Sequence, residues 1–291
     1  MIVTLGSAEV GFMLGKSRLL VRLAAGPVMV MGLGLAEDTY PLQEPPVETP
    51  LAVETISVAK GVTTTRTVDG KVMRHTADVV RWREWDRTFT DDALGGIVRY
   101  RMKRDEIATK VNGEESKTDG PLAGKIALGR KTGAGNRTFS LSERTAVGDQ
   151  VDELVAMASI ENRNWLPNRH VKIGETWEFT PQFVRAALRR DVPNSVAVGL
   201  AELVDVKKLP DGSREALVKL VIRGGGEAAK GPNNVVGAEG LISGNLTVNL
   251  ERPGELVLRL NGTLVSEAQV GDADSIARVP ITLRFESKPL K

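Results

Sequence analysis

The chain has no cysteine among its 291 residues. This absence excludes disulfide bonds, thiol nucleophiles, cysteine-ligated zinc and thiolate-held iron–sulfur clusters. It also excludes membrane attachment through the acylated cysteine of a bacterial lipoprotein. A chain of this length can bury a sizeable core without such cross-links.

Histidine and aromatic residues are scarce. His75 and His170 are the only histidines, whereas a histidine zinc site usually needs two or three close together and acid–base catalysis most often uses this residue. The 4 Trp, 2 Tyr and 6 Phe provide few of the aromatic platforms that sugar sites usually offer. We therefore predict no metal and no cofactor. Acids are plentiful, so a hydrolase with paired carboxylates stays as a third and least favoured hypothesis.

The sequence also lacks a nucleophile elbow and a phosphate-binding loop. Ser243 lies between Gly240 and Gly244 with the wrong spacing for G-x-S-x-G. The glycine-rich stretch 224–231 does not follow the order of a phosphate loop, and the negative charge of Glu227 would oppose a phosphate. We therefore predict that the chain is not an enzyme.

Excess charge of one sign is missing from most of the chain. The formal net charge is +2, and the first 36 residues carry all of it. The remainder is close to neutral, whereas proteins that bind nucleic-acid phosphates show clustered positive charge. We expect no nucleic-acid partner.

The N-terminal segment has the pattern of a secretory signal. A basic stretch, 16–22, precedes an apolar run, 23–36, and acidic residues follow. Small residues stand at Gly34 and Ala36, so we predict a signal peptide over 1–36, with Met13 as a possible true start. An uncleaved membrane anchor and a buried helix are the alternatives, although the run is shorter than the roughly 20 residues that a span needs. The predicted location is periplasmic or secreted.

Composition divides the rest into a linker and a β-rich domain. Residues 37–50 combine four prolines with several acids, which is typical of an extended linker. Residues 51–291 are predicted to form one β-rich domain, with a division into two structural halves near 145–165 as an alternative. Alternating apolar residues over 246–250 and 256–260 indicate strands with one buried face.

Turn signals predict several hairpins. Asp69-Gly70 and Asn112-Gly113 are two-residue hairpin signals. Pro210-Asp211-Gly212 and Pro253-Gly254 separate further strand pairs. We expect Asn261-Gly262 to lie within a continuing strand, and residues 280–285 to form a closing strand.

Two segments have helical spacing. Residues 149–160 place Val151, Leu154, Val155 and Ala158 on one side, with acids in the first turn. Residues 181–190 form the second predicted helix, with Thr180 as its N-cap.

The segment 81–87 is rich in tryptophan and arginine. Trp82 and Trp85 are candidates for a ligand or partner surface, because these residue types are enriched in binding hot spots. The alternative is that both rings are core anchors with arginine stems packed beside them.

Two short motifs resemble those of secreted bacterial β-proteins. They are Trp165-Leu166-Pro167 and Val171-Lys172-Ile173-Gly174-Glu175-Thr176-Trp177. The later strand–Pro-Gly–strand segment is also similar. Such proteins are similar to the half-barrel of the periplasmic lipoprotein carrier LolA. The resemblance implies a curved antiparallel sheet whose concave face holds helices or a lipid tail. It transfers no functional residue.

These observations predict an all-β to α+β fold: a curved, half-barrel-like antiparallel sheet with two or three short helices. The leading functional hypothesis is an exported, non-enzymatic module that binds an apolar small molecule or an envelope protein on its concave sheet, because such clefts are common binding sites. The alternative is a structural or interaction protein of the cell envelope.

Overall fold

The structure is a computed structural model. It describes residues 38–69, 71–91, 96–132, 136–161, 164–181, 183–184, 196–227, 235–270 and 273–290. The segment predicted as a signal peptide lies outside these residues. No helix in the described part of the chain has the length and hydropathy needed to span a bilayer.

The chain folds mainly as antiparallel β-sheet, which confirms the predicted fold class. A large, curved, open sheet contains 12 strands, and a separate two-stranded sheet joins β1 to β8. The strands are β1 (Thr39–Leu42), β2 (Leu51–Val68), β3 (Lys71–Thr90), β4 (Ile97–Val111), β5 (Glu114–Asp119), β6 (Ile126–Lys131), β7 (Arg137–Leu141), β8 (Arg169–Lys172), β9 (Thr176–Glu178), β10 (Val196–Lys208), β11 (Arg214–Glu227), β12 (Val235–Asn249), β13 (Leu256–Val270) and β14 (Ala273–Pro289).

The large sheet consists of two meanders joined along one strand pair. The first meander contains β2–β7, and the second contains β9–β14. Its order is β7-β6-β4-β3-β2-β14-β13-β12-β11-β10-β9, with β5 paired to β4. The first and last long strands, β2 and β14, pair at the centre, from Leu51 opposite Pro289 to Thr67 opposite Asp274. Outward from this pair, the strands follow chain order from β3 to β7 on one side and reverse chain order from β13 to β9 on the other, so that β7 and β9 form the two ends.

The predicted turns form where local chemistry requires them. Val111 pairs with Glu114 across Asn112 and Gly113, whose φ angles are 52° and 90°. Positive φ at both central residues is the geometry of a type I′ hairpin turn, which Asn-Gly favours. Asp69 also has a positive φ between the paired ends of β2 and β3. Asn261 and Gly262 lie inside β13, as predicted.

One complete helix is described, α1 (Asp149–Glu161), and it matches the first helical prediction. Residues 181, 183 and 184 are also helical. The backbone N–H of Phe183 donates to Oγ1 of Thr180 over 3.2 Å, which is an N-cap contact. The rest of the second predicted helix lies outside the described residues.

Two hydrophobic clusters cover one face of the sheet, called the inner face from here on. Alternation along β10–β13 buries one residue in two against Leu166, Phe179, Phe183 and Val184. On the first meander, side chains of β4, β6 and β7 pack around Leu154 of α1. Helix α1 therefore covers the first meander, and Leu166, Phe179, Phe183 and Val184 cover the second, on the same face.

The proline-rich stretch packs against the fold. Its strand β1 pairs with β8, from Thr39 opposite Lys172 to Leu42 opposite Arg169. Leu42 is fully buried, because it joins the cluster beneath β10–β13. The backbone is extended, as proline favours, but residues 39–42 belong to a sheet and not to a free spacer.

At two glycines of the inner face, the backbone of the neighbouring strand leaves no room for a side chain. A methyl group at Gly244 would lie 1.9 Å from the carbonyl oxygen of Arg259, and one at Gly262 would lie 2.2 Å from that of Leu241. Only a residue without Cβ permits this approach of neighbouring backbones.

We expect Gly244→Ala to lower the free energy of unfolding by about 1–3 kcal/mol or more, as overpacked sites do. The neighbouring exposed Ser243→Ala is the control and is expected to stay within about 0.5 kcal/mol. Urea unfolding followed by circular dichroism measures both. Equal stability of the two variants would contradict the close approach.

Candidate functional site

The two tryptophans proposed as a surface lie on opposite faces of β3. The ring of Trp82 is half-buried, with the guanidinium of Arg104 5.4 Å from its centroid. Trp85 is on the inner face, 6.4 Å from both Tyr100 and Phe285 between ring centroids. Because successive side chains of a strand alternate, an even and an odd position cannot share one surface. Trp85 links the two hydrophobic clusters and is a core anchor.

Three arginines of β3 lie on the inner face beside Trp85, and they form the most charged part of the interior. Arg81 donates from Nε and Nη2 to both carboxylate oxygens of Asp105, over 2.8 and 2.9 Å. The Asp105 side chain is fully buried. This is the bidentate geometry that makes arginine–carboxylate pairs strong.

The same arginines hold helix α1. Glu153 accepts from Nη1 of Arg81 over 2.6 Å and from Nη2 of Arg83 over 2.7 Å. One helical carboxylate therefore bridges two sheet arginines. Burial alone would raise the pKa of Asp105, but its hydrogen bonds with Arg81 and the nearby positive charges outweigh burial and hold that pKa below its ordinary value.

A second contact lies at the other end of α1. Glu161 accepts from Nη2 of Arg87 over 3.1 Å and from the hydroxyl of Tyr100. Burial and the adjacent Glu161 charge raise the pKa of Tyr100 well above its ordinary value, so Tyr100 stays protonated and donates. The helix is thus fixed by Glu153 and Glu161, which are eight positions apart and lie on one side of it.

These pairs rotate α1 away from the predicted orientation. Sequence spacing predicts that Val151, Leu154, Val155 and Ala158 face the core, but only Leu154 is buried. Val151 is 44% exposed and Val155 is 60% exposed. The buried side carries Glu153 instead, because leaving the sheet arginines without their carboxylates would cost more than exposing two valines.

A groove runs between β7 and the exposed side of α1. Its volume is about 1220 Å³. The apolar side chains in its lining are Phe139, Leu141, Ala146, Val151, Leu154, Val155 and Ala158, and polar residues of β7, the following loop and Thr180 complete it. The strand was not identified from the sequence. Its only signal is the short alternation of Phe139 and Leu141 with Thr138 and Ser140.

Glu44 anchors the proline-rich segment to the turn before β8. Its Oε1 accepts from the backbone N–H of Trp165 over 2.5 Å and of Leu166 over 2.9 Å. Burial raises the pKa of Glu44, and these two hydrogen bonds oppose the shift without cancelling it. Neither Glu44 nor Glu161 is among the lining residues of the groove.

The remaining candidates from the sequence are not assembled into a site. His75 and His170 are both exposed, on β3 and β8. Within the described residues, no group of three or more potential ligands is placed to hold a metal ion.

No protein-family model matches the chain, and no curated protein matches it. A solved structure of DynF from the dynemicin biosynthesis pathway of Micromonospora chersina is similar over 92% of this chain and 94% of that chain, with 12% identity and a TM-score of 0.20. A score this low supports no conclusion about fold or function.

Removing the charge of Glu153 tests how α1 is held. We expect Glu153→Gln to lower the free energy of unfolding by about 3 kcal/mol, the low end of the cost of breaking a buried ion pair. Asp152→Asn is the matched control, since it removes the same charge from an exposed position of α1, and we expect a loss of about 0.3–1 kcal/mol. Guanidinium unfolding measures both, and equal losses would contradict the assignment.

The raised pKa of Glu44 predicts a pH-dependent effect of Glu44→Gln. A pKa higher in the folded than in the unfolded chain stabilises the fold at low pH, and this stability is lost as the pH rises from about 4.5 through the folded pKa. Glutamine keeps the acceptor and does not titrate. We therefore expect Glu44→Gln to gain stability over the wild type as the pH rises, by less than about 1 kcal/mol because Glu44 is half-buried.

Urea unfolding at pH 4 and pH 8 measures this difference. Glu44→Ala is the control, since it loses the acceptor and is expected to be less stable at both pH values. A Glu44→Gln curve that runs parallel to that of the wild type would contradict the raised pKa.

Proposed function

We propose that this chain is an exported, non-enzymatic binding module whose groove between β7 and α1 holds an apolar ligand or partner. The observation that carries the proposal is the exposure of Val151 and Val155 in a concave site that also contains Phe139 and Leu141. Apolar clefts with a few polar groups are the usual form of a ligand site. The predicted signal segment supports an exported location.

The chemistry of the groove favours binding over catalysis. Its lining contains one carboxylate, Glu143, and two arginines, Arg137 and Arg144. Hydrolysis by paired carboxylates needs a second acid across the reacting bond. Glu153 and Glu161, the acids of α1 that are largely buried, are engaged with arginines and Tyr100.

The proposed resemblance to LolA-like half-barrels implies a curved antiparallel sheet with helices on its concave face. In that architecture, helices or a lipid tail occupy the concave face. Here α1 lies on the inner face, and the groove lies beside it at the end of the first meander.

A second candidate function is an interaction protein of the cell envelope. On the outer face, Leu200 lies directly opposite Val221, and Leu241 and Val198 flank Arg223. All four apolar side chains are exposed. Adjacent exposed apolar residues of this kind mark interaction surfaces.

The two functions separate in a binding experiment with 11-(dansylamino)undecanoic acid, followed by dansyl fluorescence. We expect Val155→Glu to weaken binding by roughly tenfold, because it places a charge in the apolar wall of the groove. Leu241→Glu is the matched control, since it makes the same kind of change at an exposed position, 52% accessible, on the outer face. A loss in Leu241→Glu, or no loss in Val155→Glu, would contradict the groove as the site.

A further inference from the structure

Strand β7 presents part of its backbone to the groove. The N–H of Thr132 donates to the carbonyl of Asn136 over 2.7 Å, and the N–H of Ser142 donates to the carbonyl of Ile126 over 2.9 Å. These two bonds fix the phase of the ladder, because alternate residues of an antiparallel strand bond to the same neighbour. The even positions of β7 therefore bond to β6, and the odd positions point away from it.

Phe139 and Leu141 are thus two residues whose N–H and C=O groups point out of the sheet. In the described part of the chain no partner is found for these groups. All five residues of β7 line the groove, although their side chains alternate between the two faces. A groove that contacts both sets of residues runs along the edge of the strand and not over one face.

The opposite wall suits the side chains of an added strand. Val151, Val155 and Ala158 form one stripe of α1, since positions three and four apart share a helix face. This stripe covers roughly 10 Å of helix, and five residues of β7 extend about 17 Å. A strand added to β7 would therefore place every second side chain against the valines.

We propose that the groove binds an extended polypeptide segment, which pairs with β7 as a further strand and turns alternate apolar side chains toward α1. This inference rests on the proposed function and names its ligand class. Peptides that extend a sheet edge gain affinity from main-chain hydrogen bonds and specificity from alternate side chains.

The backbone groups favour a peptide over an acyl chain. An acyl chain can pack against the apolar wall of the groove, but along β7 it would leave the N–H and C=O groups of Phe139 and Leu141 without partners, so it would bind more weakly than a peptide that pairs with them. A peptide strand would satisfy them. The volume of about 1220 Å³ exceeds the usual range for a small ligand of about 300–1,000 Å³, so a segment of several residues fits.

Charge does not restrict the segment strongly. The exposed charged residues of the lining, Glu143 and Arg144, balance each other, and Arg137 is buried and donates to the carbonyls of Gly96 and Gly129. Main-chain pairing and the apolar wall therefore decide which segment binds.

The test uses the fluorescein-labelled peptide Glu-Val-Thr-Val-Thr-Val-Thr with the full chain, followed by fluorescence anisotropy. The control peptide carries N-methyl groups on its three valines, so it keeps the side chains but loses the donors on the edge that pairs with β7. We expect binding of the parent peptide and at least tenfold weaker binding of the methylated one. Equal affinities would overturn the proposal.

A variant pair tests the same bond from the protein side. Phe139→Pro and Phe139→Ala both remove the ring, but only proline removes the outward N–H. Proline is tolerated on an edge strand whose N–H points away from the sheet. We expect the Phe139→Pro chain to bind the peptide at least tenfold more weakly than Phe139→Ala, and equal binding would overturn the proposal. If Phe139→Pro does not fold, the methylated peptide alone decides.

The fatty-acid probe separates failure of this inference from failure of the proposed function. If the dansylated acid binds and Val155→Glu weakens it, while the parent peptide does not bind, the groove is a ligand site for acyl chains and the peptide proposal is wrong. If neither probe binds, both proposals are wrong.

Discussion

The arrangement of the first meander depends on the ion pairs between the arginines of β3 and the carboxylates that face them. Arg81 and Arg83 lie on the buried face of a central strand, where unpaired charges are strongly unfavourable. Asp105 of β4 supplies one partner, and Glu153 must come from α1. The helix is therefore placed by charge pairing first, and its apolar residues occupy the positions that remain.

This constraint also determines which side chains of α1 face the groove. A helix that was held by hydrophobic burial alone would turn Val151 and Val155 into the core and leave its acids in water. With Glu153 and Glu161 bound to the sheet, the valines instead form one wall of a groove whose other wall is β7. The same contacts that stabilise the fold thus create its apolar surface.

Local signals in the sequence predict much of the sheet, because hairpin turns and strand alternation depend on neighbouring residues. Asn112-Gly113 and the alternating segments 246–250 and 256–260 belong to this class. The orientation of α1 depends on Arg81, which is 72 positions before Glu153, so helical periodicity could not reveal it. The sequence gives little signal for strand β7, because the strand is five residues long and begins with Arg137, a buried charge. A closer sequence signal was available in the repeated arginines on one face of β3, which required acidic partners.

The most direct test of this account is hydrogen–deuterium exchange, resolved by peptide, on a chain that carries Arg81→Gln and Arg83→Gln. Exchange reports local opening of helices and strands separately. The account predicts that α1 loses its protection while β10–β13, which belong to the other hydrophobic cluster, keep theirs. If α1 remains as protected as in the wild type, then apolar packing around Leu154 holds the helix and the central role given to the ion pairs is wrong.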